Sequence, residues 1–227
     1  MIKIQRRDTE KARKAMEALR SAKERGKTYN QPEVNEALLE MFHGKCYICE
    51  NRDVISYHIE HRISHHNQDE LKYDWKNLYL ACAHCNTIKG TRYDNILDCE
   101  EADVEQLIEF RIQGSWGNNE QFLFQPLEDG REIEQTAELL REVHYGEATP
   151  KLGMAAANLR RMIRREIADF RRYIRAYKAA EGEDKEDYLY LIRQELGEDS
   201  AFTAFKRWMI WRNESGLTEI LMPERDH

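Results

Sequence analysis

The sequence has no long uncharged run. Its longest stretch without Asp, Glu, Lys or Arg is Asn77–Ile88, too short and too polar for the roughly 20 apolar residues of a membrane-spanning helix. The first residues, MIKIQRRDTEKARK, are charged where a secretory leader needs an apolar core. Also missing are internal repeats, low-complexity segments, a Walker-type phosphate loop, and helix-turn-helix or basic-zipper patterns. These absences predict a cytoplasmic protein with no membrane partner and no ATPase site of its own. What is there is 227 residues, 41% apolar and 34% charged. That suits one globular domain or two small ones, with enough chain to bury a core without disulfides.

The net charge is −7, but it is unevenly distributed. Residues 1–30 carry ten Lys/Arg against four Asp/Glu, whereas residues 31–130 carry eight against nineteen. Nine basic residues lie between Lys151 and Lys178, opposed only by Glu166 and Asp169. The acidic total therefore does not exclude a nucleic-acid partner.

Apolar spacing predicts helices over 8–25 (Ala12, Met16, Leu19, ended by Gly26) and from Gln31-Pro32 to Gly44. Cys46–Arg62 reads as a metal-binding turn followed by a hairpin, Leu78-Tyr79-Leu80 as a short strand, and 83–90 as a helix start. Beyond Gly130 the pattern is helical at about 131–145, 152–180, 184–196 and 200–213. The longest helix has one apolar stripe (Leu159, Met162, Ile163, Ile167, Phe170, Ile174, Tyr177) and Arg160, Arg164, Arg171 and Arg175 on another face. The fold expectation is mainly α, in three segments: a basic helical arm (1–30), a small ββα core with its metal site (31–130) and a helical C-terminal domain (131–227).

Five cysteines are present. Cys46/Cys49 and Cys82/Cys85 form two C-x2-C pairs 32 residues apart. In a reducing compartment such pairs read as zinc ligands rather than disulfides. Four thiolates fill a tetrahedral Zn2+ shell and leave no position for water, so this zinc is structural. Cys99 is left over as a small buried hydrophobe, and His84 is a less well-spaced substitute ligand.

Between the pairs lie Glu60-His61 and Asn77, and directly after Cys85 comes Asn86, followed by Lys89 and Arg92. Phosphodiester hydrolysis needs a base for the attacking water and a cation for charge on the leaving oxygen. A neutral imidazole serves as base near pH 7, and carboxylate and amide oxygens suit a hard divalent ion. The order of these residues, with N-L-Y-L-A-C-A-H-C-N-T-I-K-G, resembles the HNH (ββα-metal) endonuclease motif over about Cys46–Arg92. The resemblance implies His61 as general base and Glu60 and Asn86 as ligands of Mg2+ or Mn2+. It implies Asn77 as the brace of the His61 loop, and Lys89 and Arg92 as phosphate contacts. Three positions depart from the usual pattern: Glu60 stands for Asp, Asn86 for His, and the proline after the first His is missing. His65 and His66 are spare imidazoles. Adjacent strand residues face opposite ways, so Glu60 and His61 share one site only where the strand bends or ends.

A narrower resemblance runs from Met1 to about Cys99. The MIKI start, G-K-C-Y-I-C-E, H-I-E-H, D-W-K-N-L-Y-L-A-C and C-N-T-I-K-G are similar to the nuclease subunit of the Septu and retron-associated anti-phage systems. That implies a defence effector beside an ABC/SMC-like ATPase, with DNA as substrate and RNA or tRNA as an alternative. The arm then docks the partner, and Arg160, Arg164, Arg171 and Arg175 track DNA. The rival expectation is a non-catalytic zinc module that binds nucleic acid or protein.

Overall fold

A computed structural model describes residues 1–52, 54, 56–114 and 120–221. Helix α1 (Glu10–Glu24) starts where Thr9 Oγ1 accepts the Ala12 N–H, a side-chain N-cap. It buries Ala12, Ala15, Leu19 and Ala22 against α2 (Pro32–Met41), while Met16 stays exposed. Pro32 opens α2, where its missing N–H costs no hydrogen bond. The helix is followed by His43 and Gly44, both at positive φ, which turn the chain into the first cysteine pair.

Strand β1 (Tyr57–His61) is followed by a short α3 (Asp69–Lys72), a 3-10 turn at Trp75–Asn77 and β2 (Leu78–Cys82). β1 and β2 are antiparallel, with Glu60 opposite Tyr79 and His61 opposite Leu78. The partner of β1 is thus the strand beyond α3, and the hairpin expected within Cys46–Arg62 is not formed among the described residues. α4 (Ala83–Lys89) leaves β2 directly and completes a ββα unit.

Between Cys99 and Gly130 the chain forms α5 (Val104–Leu107) and an antiparallel hairpin of β3 (Ile108–Gln113) and β4 (Gln121–Pro126). Four helices follow close to their expected positions: α6 (Arg131–Tyr145), α7 (Pro150–Ala179), α8 (Gly182–Glu195) and α9 (Thr203–Asn213), then α10 (Ser215–Leu221). The fold is mainly α, about 56% helical. α7 starts at a Thr149 cap with Pro150 in its first turn. It buries Leu159, Ile163, Ile167, Phe170 and Ile174, while Met162 and Tyr177 are partly exposed.

One core cluster spans the chain from Met1, Ile2 and Ile4 through Phe42, Tyr79 and Leu140 to Phe205 and Trp208. From residues 1–30, Met1, Ile2, Ile4, Ala12, Ala15 and Leu19 belong to this cluster. The Met1 amino group is buried in an ion pair with Glu50. No helix among the described residues is long and apolar enough to cross a membrane.

Candidate nuclease site

The cysteine cluster forms where two turns meet. Cys46 and Cys49 sit in a turn closed by Glu50 N–H to Cys46 O (2.8 Å) and by Cys46 N–H to Asn51 O (3.0 Å). Tyr47 N–H to Leu80 O (2.9 Å) ties this turn to β2. Cys82 ends β2 and caps α4, accepting the Cys85 N–H at 3.4 Å. The four Sγ atoms are buried and lie within 4.8 Å of one another. The Cys49–Cys82 separation of 3.9 Å is close to the ~3.8 Å edge of a tetrahedron with 2.3 Å Zn–S bonds. Burial pushes the Cys85 thiol well above its usual range, whereas at Cys46 the same burial is overcome by hydrogen bonds from the neighbouring cysteines, which pull it well below. The donor set fits zinc. His84 turns away, with Nε2 2.7 Å from Val143 O.

β1 ends at His61, and the chain turns there. His61 is the last residue of the ladder, opposite Leu78, next to the Glu60–Tyr79 pair. His61 Nε2 lies 3.0 Å from Lys72 O. A carbonyl only accepts, so Nε2 carries the proton and the neutral ring keeps its lone pair on Nδ1. Nδ1 has no hydrogen bond among the described residues. Burial holds the His61 imidazole below the usual histidine range, which favours the neutral ring with a lone pair able to accept a proton. Tyr29, from the α1–α2 connection, packs edge-on against it with centroids 4.5 Å apart.

Asn77 is buried and uses both ends of its amide. Oδ1 accepts the Ile63 N–H (2.8 Å), and Nδ2 donates to Ile63 O (2.8 Å) and Leu71 O (3.0 Å). It thereby joins the segment leaving His61 to the residue next to Lys72, whose carbonyl orients the His61 ring.

Lys89 is displaced from its expected role. It is fully buried, and its Nζ lies 2.8 Å from Glu60 Oε1, 3.6 Å from Asp94 Oδ1 and 3.0 Å from His61 O. A phosphate cannot reach an ammonium so enclosed; Lys89 instead neutralises Glu60 from beneath. Burial raises the Glu60 carboxyl above its usual range, with the Lys89 charge opposing that rise. Asn86 is half-buried and makes no side-chain hydrogen bond among the described residues. It lies three residues before Lys89 on α4, so the two share a helix face. The carboxylate of Glu60 and the amide oxygen of Asn86 suit a hard divalent ion, although Glu60 Oε1 already carries Lys89.

The remaining basic residues do not join the site. Arg92 is paired with Glu142 (2.7 Å) and Glu138 (2.6 Å) on α6. Arg160 donates to His144 O and covers the Tyr145 ring. Arg164 is paired with Glu120 over Phe122. Arg171 and Arg175 are exposed, without ion pairs among the described residues, and line a cleft of about 330 Å3 with Lys178. Sequence reasoning passed over Tyr29 and Asp94. No motif marks either, since both come from segments that meet the loop only in the fold.

Residues 46–92 match the HNH endonuclease family model. The match covers the cysteine cluster, both strands and α4 of the ββα unit, and all of Glu60, His61, Asn77, Asn86, Lys89 and Arg92. Outside it, Tyr29 borders the HNH domain from one side and α6 holds Arg92 from the other. No curated protein matches the chain.

Proposed function

We propose that the chain is a metal-dependent HNH endonuclease that hydrolyses nucleic-acid phosphodiester bonds. The observation that carries this reading is the state of His61: a neutral imidazole, its Nε2–H fixed on Lys72 O and its Nδ1 lone pair free. That nitrogen takes a proton from water, and the Lys72 carbonyl stabilises the imidazolium that results. Asn77 holds the ring's support in place. Glu60 and Asn86 would hold Mg2+ or Mn2+, which when bound would supply charge stabilisation for the hydrolysis. Zinc at Cys46, Cys49, Cys82 and Cys85 stays structural.

Arg171 and Arg175 are the members of the basic set free to follow a phosphate backbone. Arg92, Arg160 and Arg164 act through their acidic and aromatic partners instead. DNA is the preferred substrate, with RNA or tRNA as the alternative. A cytoplasmic anti-phage role beside an ABC/SMC-like ATPase rests on the resemblance over residues 1–99.

The rival reading, a zinc module without catalysis, draws on the Lys89–Glu60 pair, which occupies one carboxylate oxygen. Incubating purified zinc-loaded protein with plasmid DNA and with tRNA, with and without added Mg2+ or Mn2+, separates the two. Cleavage that needs the added ion supports the nuclease. Binding without cleavage under every ion favours the zinc module.

A further inference from the structure

The loop leaving β1 is pinned more firmly than its length requires. Arg62 N–H bonds Asn77 O (3.0 Å) and Ile63 bonds the Asn77 amide. Ser64 gives both N–H (3.0 Å) and Oγ–H (2.6 Å) to Asp94 Oδ1. Gln68 N–H closes the far end on His65 O at 2.7 Å. Inside these anchors, His66 and Asn67 sit consecutively at φ 45° and 64°. Both lie in the left-handed region, which strains an L-residue even where Asn and His enter it more often than most.

The strained turn has one visible product. It brings the Asn67 N–H to 3.0 Å from His65 Nδ1. Nδ1 is therefore an acceptor, and the neutral ring carries its proton on Nε2. That Nε2–H has no partner among the described residues, and the side chain is only partly buried. The ring centroid lies 4.6 Å from that of His61, at 62°, and Tyr29 packs near both. Two adjacent imidazoles thus present opposite faces of acid–base chemistry. His61 offers a lone pair at Nδ1, and His65 offers a donor at Nε2.

We propose that His65 is a further catalytic residue, donating from Nε2 to a non-bridging oxygen of the phosphate under attack. The inference rests on the nuclease reading and adds a residue to it. Negative charge grows on those oxygens as the water, its proton passing to His61 Nδ1, bonds to phosphorus and the P–O bond to the leaving sugar oxygen breaks, so a fixed donor acts most strongly in the transition state. His66, by contrast, is exposed and stands 3.7 Å from Asp94, facing no other imidazole.

The test compares His65→Ala, His65→Gln and His66→Asn with wild type at equal zinc content and equal unfolding midpoint. Loss of one such donor lowers kcat by about 100-fold or more. That loss is expected for His65→Ala, with much of the rate restored in His65→Gln, whose amide also donates, and near wild-type rate for His66→Asn. A wild-type rate in His65→Ala overturns the proposal. So does His65→Gln as slow as His65→Ala, because ring packing and not donation is then what matters. A second measurement keeps the two readings apart: 15N spectra of the ring nitrogens with a short DNA duplex added in Mg2+-free buffer. A His65 Nε2 resonance that moves with DNA supports the phosphate contact even where wild type cleaves nothing and the nuclease reading falls. An unmoved one overturns the contact.

Discussion

Asn77 illustrates how one buried amide fixes a reactive group it does not touch. Its three hydrogen bonds hold Ile63 and Leu71, and at about 1 kcal/mol net each they stabilise the loop by ~3 kcal/mol. Asn77→Ala should cost about 2–3 kcal/mol in denaturant unfolding and slow cleavage; an unchanged midpoint would show that the loop does not depend on it. His144 carries a different prediction. Burial pushes its imidazole down to about 3, while Nδ1 bonds Leu140 O at 2.7 Å. The unfolded chain takes up this proton first, near the ordinary value of about 6.5. His144 therefore leaves stability intact above pH 6.5 and erodes it by ~1.4 kcal/mol per pH unit from there down to about 3. His144→Phe should flatten the stability-versus-pH curve between pH 6 and 4 relative to wild type, read by urea unfolding at each pH. At this scale the sequence was most legible where chemistry and spacing coincide, as at the four cysteines, which the fold gathers into one buried cluster. It was least legible at Lys89. A lysine at the end of an HNH helix reads as a phosphate contact, and only the fold reveals Glu60 and Asp94 closing over it.

Among the elements, the ββα unit depends on the cysteine cluster. β1 and β2 have five residues each, and a two-stranded pair of that length is marginal in water without further support. Structural zinc supplies folding energy directly. Cys46→Ser or Cys82→Ser should therefore lose the metal and the protected amides of β1, β2 and α4, measured by metal analysis and hydrogen exchange. Wild-type protein should hold one Zn2+ per chain, and a fully folded zinc-free preparation would contradict the assignment. α7 separates packing from charge along one helix. Ile163→Ala should cost about 2–5 kcal/mol as a core truncation, whereas Arg171→Gln with Arg175→Gln should leave stability unchanged and weaken DNA binding. For every phosphate these arginines neutralise, the double variant should flatten the slope of log affinity against log salt by about 0.9. Long helices such as α7 were readable because a 30-residue stripe repeats many times. The β3–β4 hairpin repeats only briefly, at Ile108, Phe110 and Ile112 and at Phe122 and Phe124, and such short runs do not separate strand from helix.

For the whole molecule, the C-terminal helices are fastened to the metal-binding half. Glu50, beside the cysteine turn, accepts the Ala204 N–H at 3.2 Å, and the Lys45 ammonium donates to Ser200 O at 2.8 Å. Arg207 pairs with buried Glu105, whose carbonyl accepts the Trp208 indole N–H at 2.9 Å. Deleting residues from 197 onward would remove Phe205 and Trp208 from the core and leave Glu105 buried without its partner, which is strongly destabilising. The truncated protein should give up zinc to a chelator faster than the intact chain does. Charge and composition alone divide the chain into a basic arm, a metal-binding middle and a helical C-terminal domain, because sequence reveals which residues are apolar but not which distant ones meet. The same packing brings Tyr29 from the first 30 residues to His61, and so makes the site a property of more than the motif. If His61 is the base of metal-dependent phosphodiester hydrolysis, the DNA cleavage rate of His61→Ala against wild type in Mg2+, at matched zinc content, reveals it. A general base contributes about 100- to 10,000-fold. A loss of that size with the fold and zinc retained is the expected result; cleavage by His61→Ala at the wild-type rate would rule out His61 as the base.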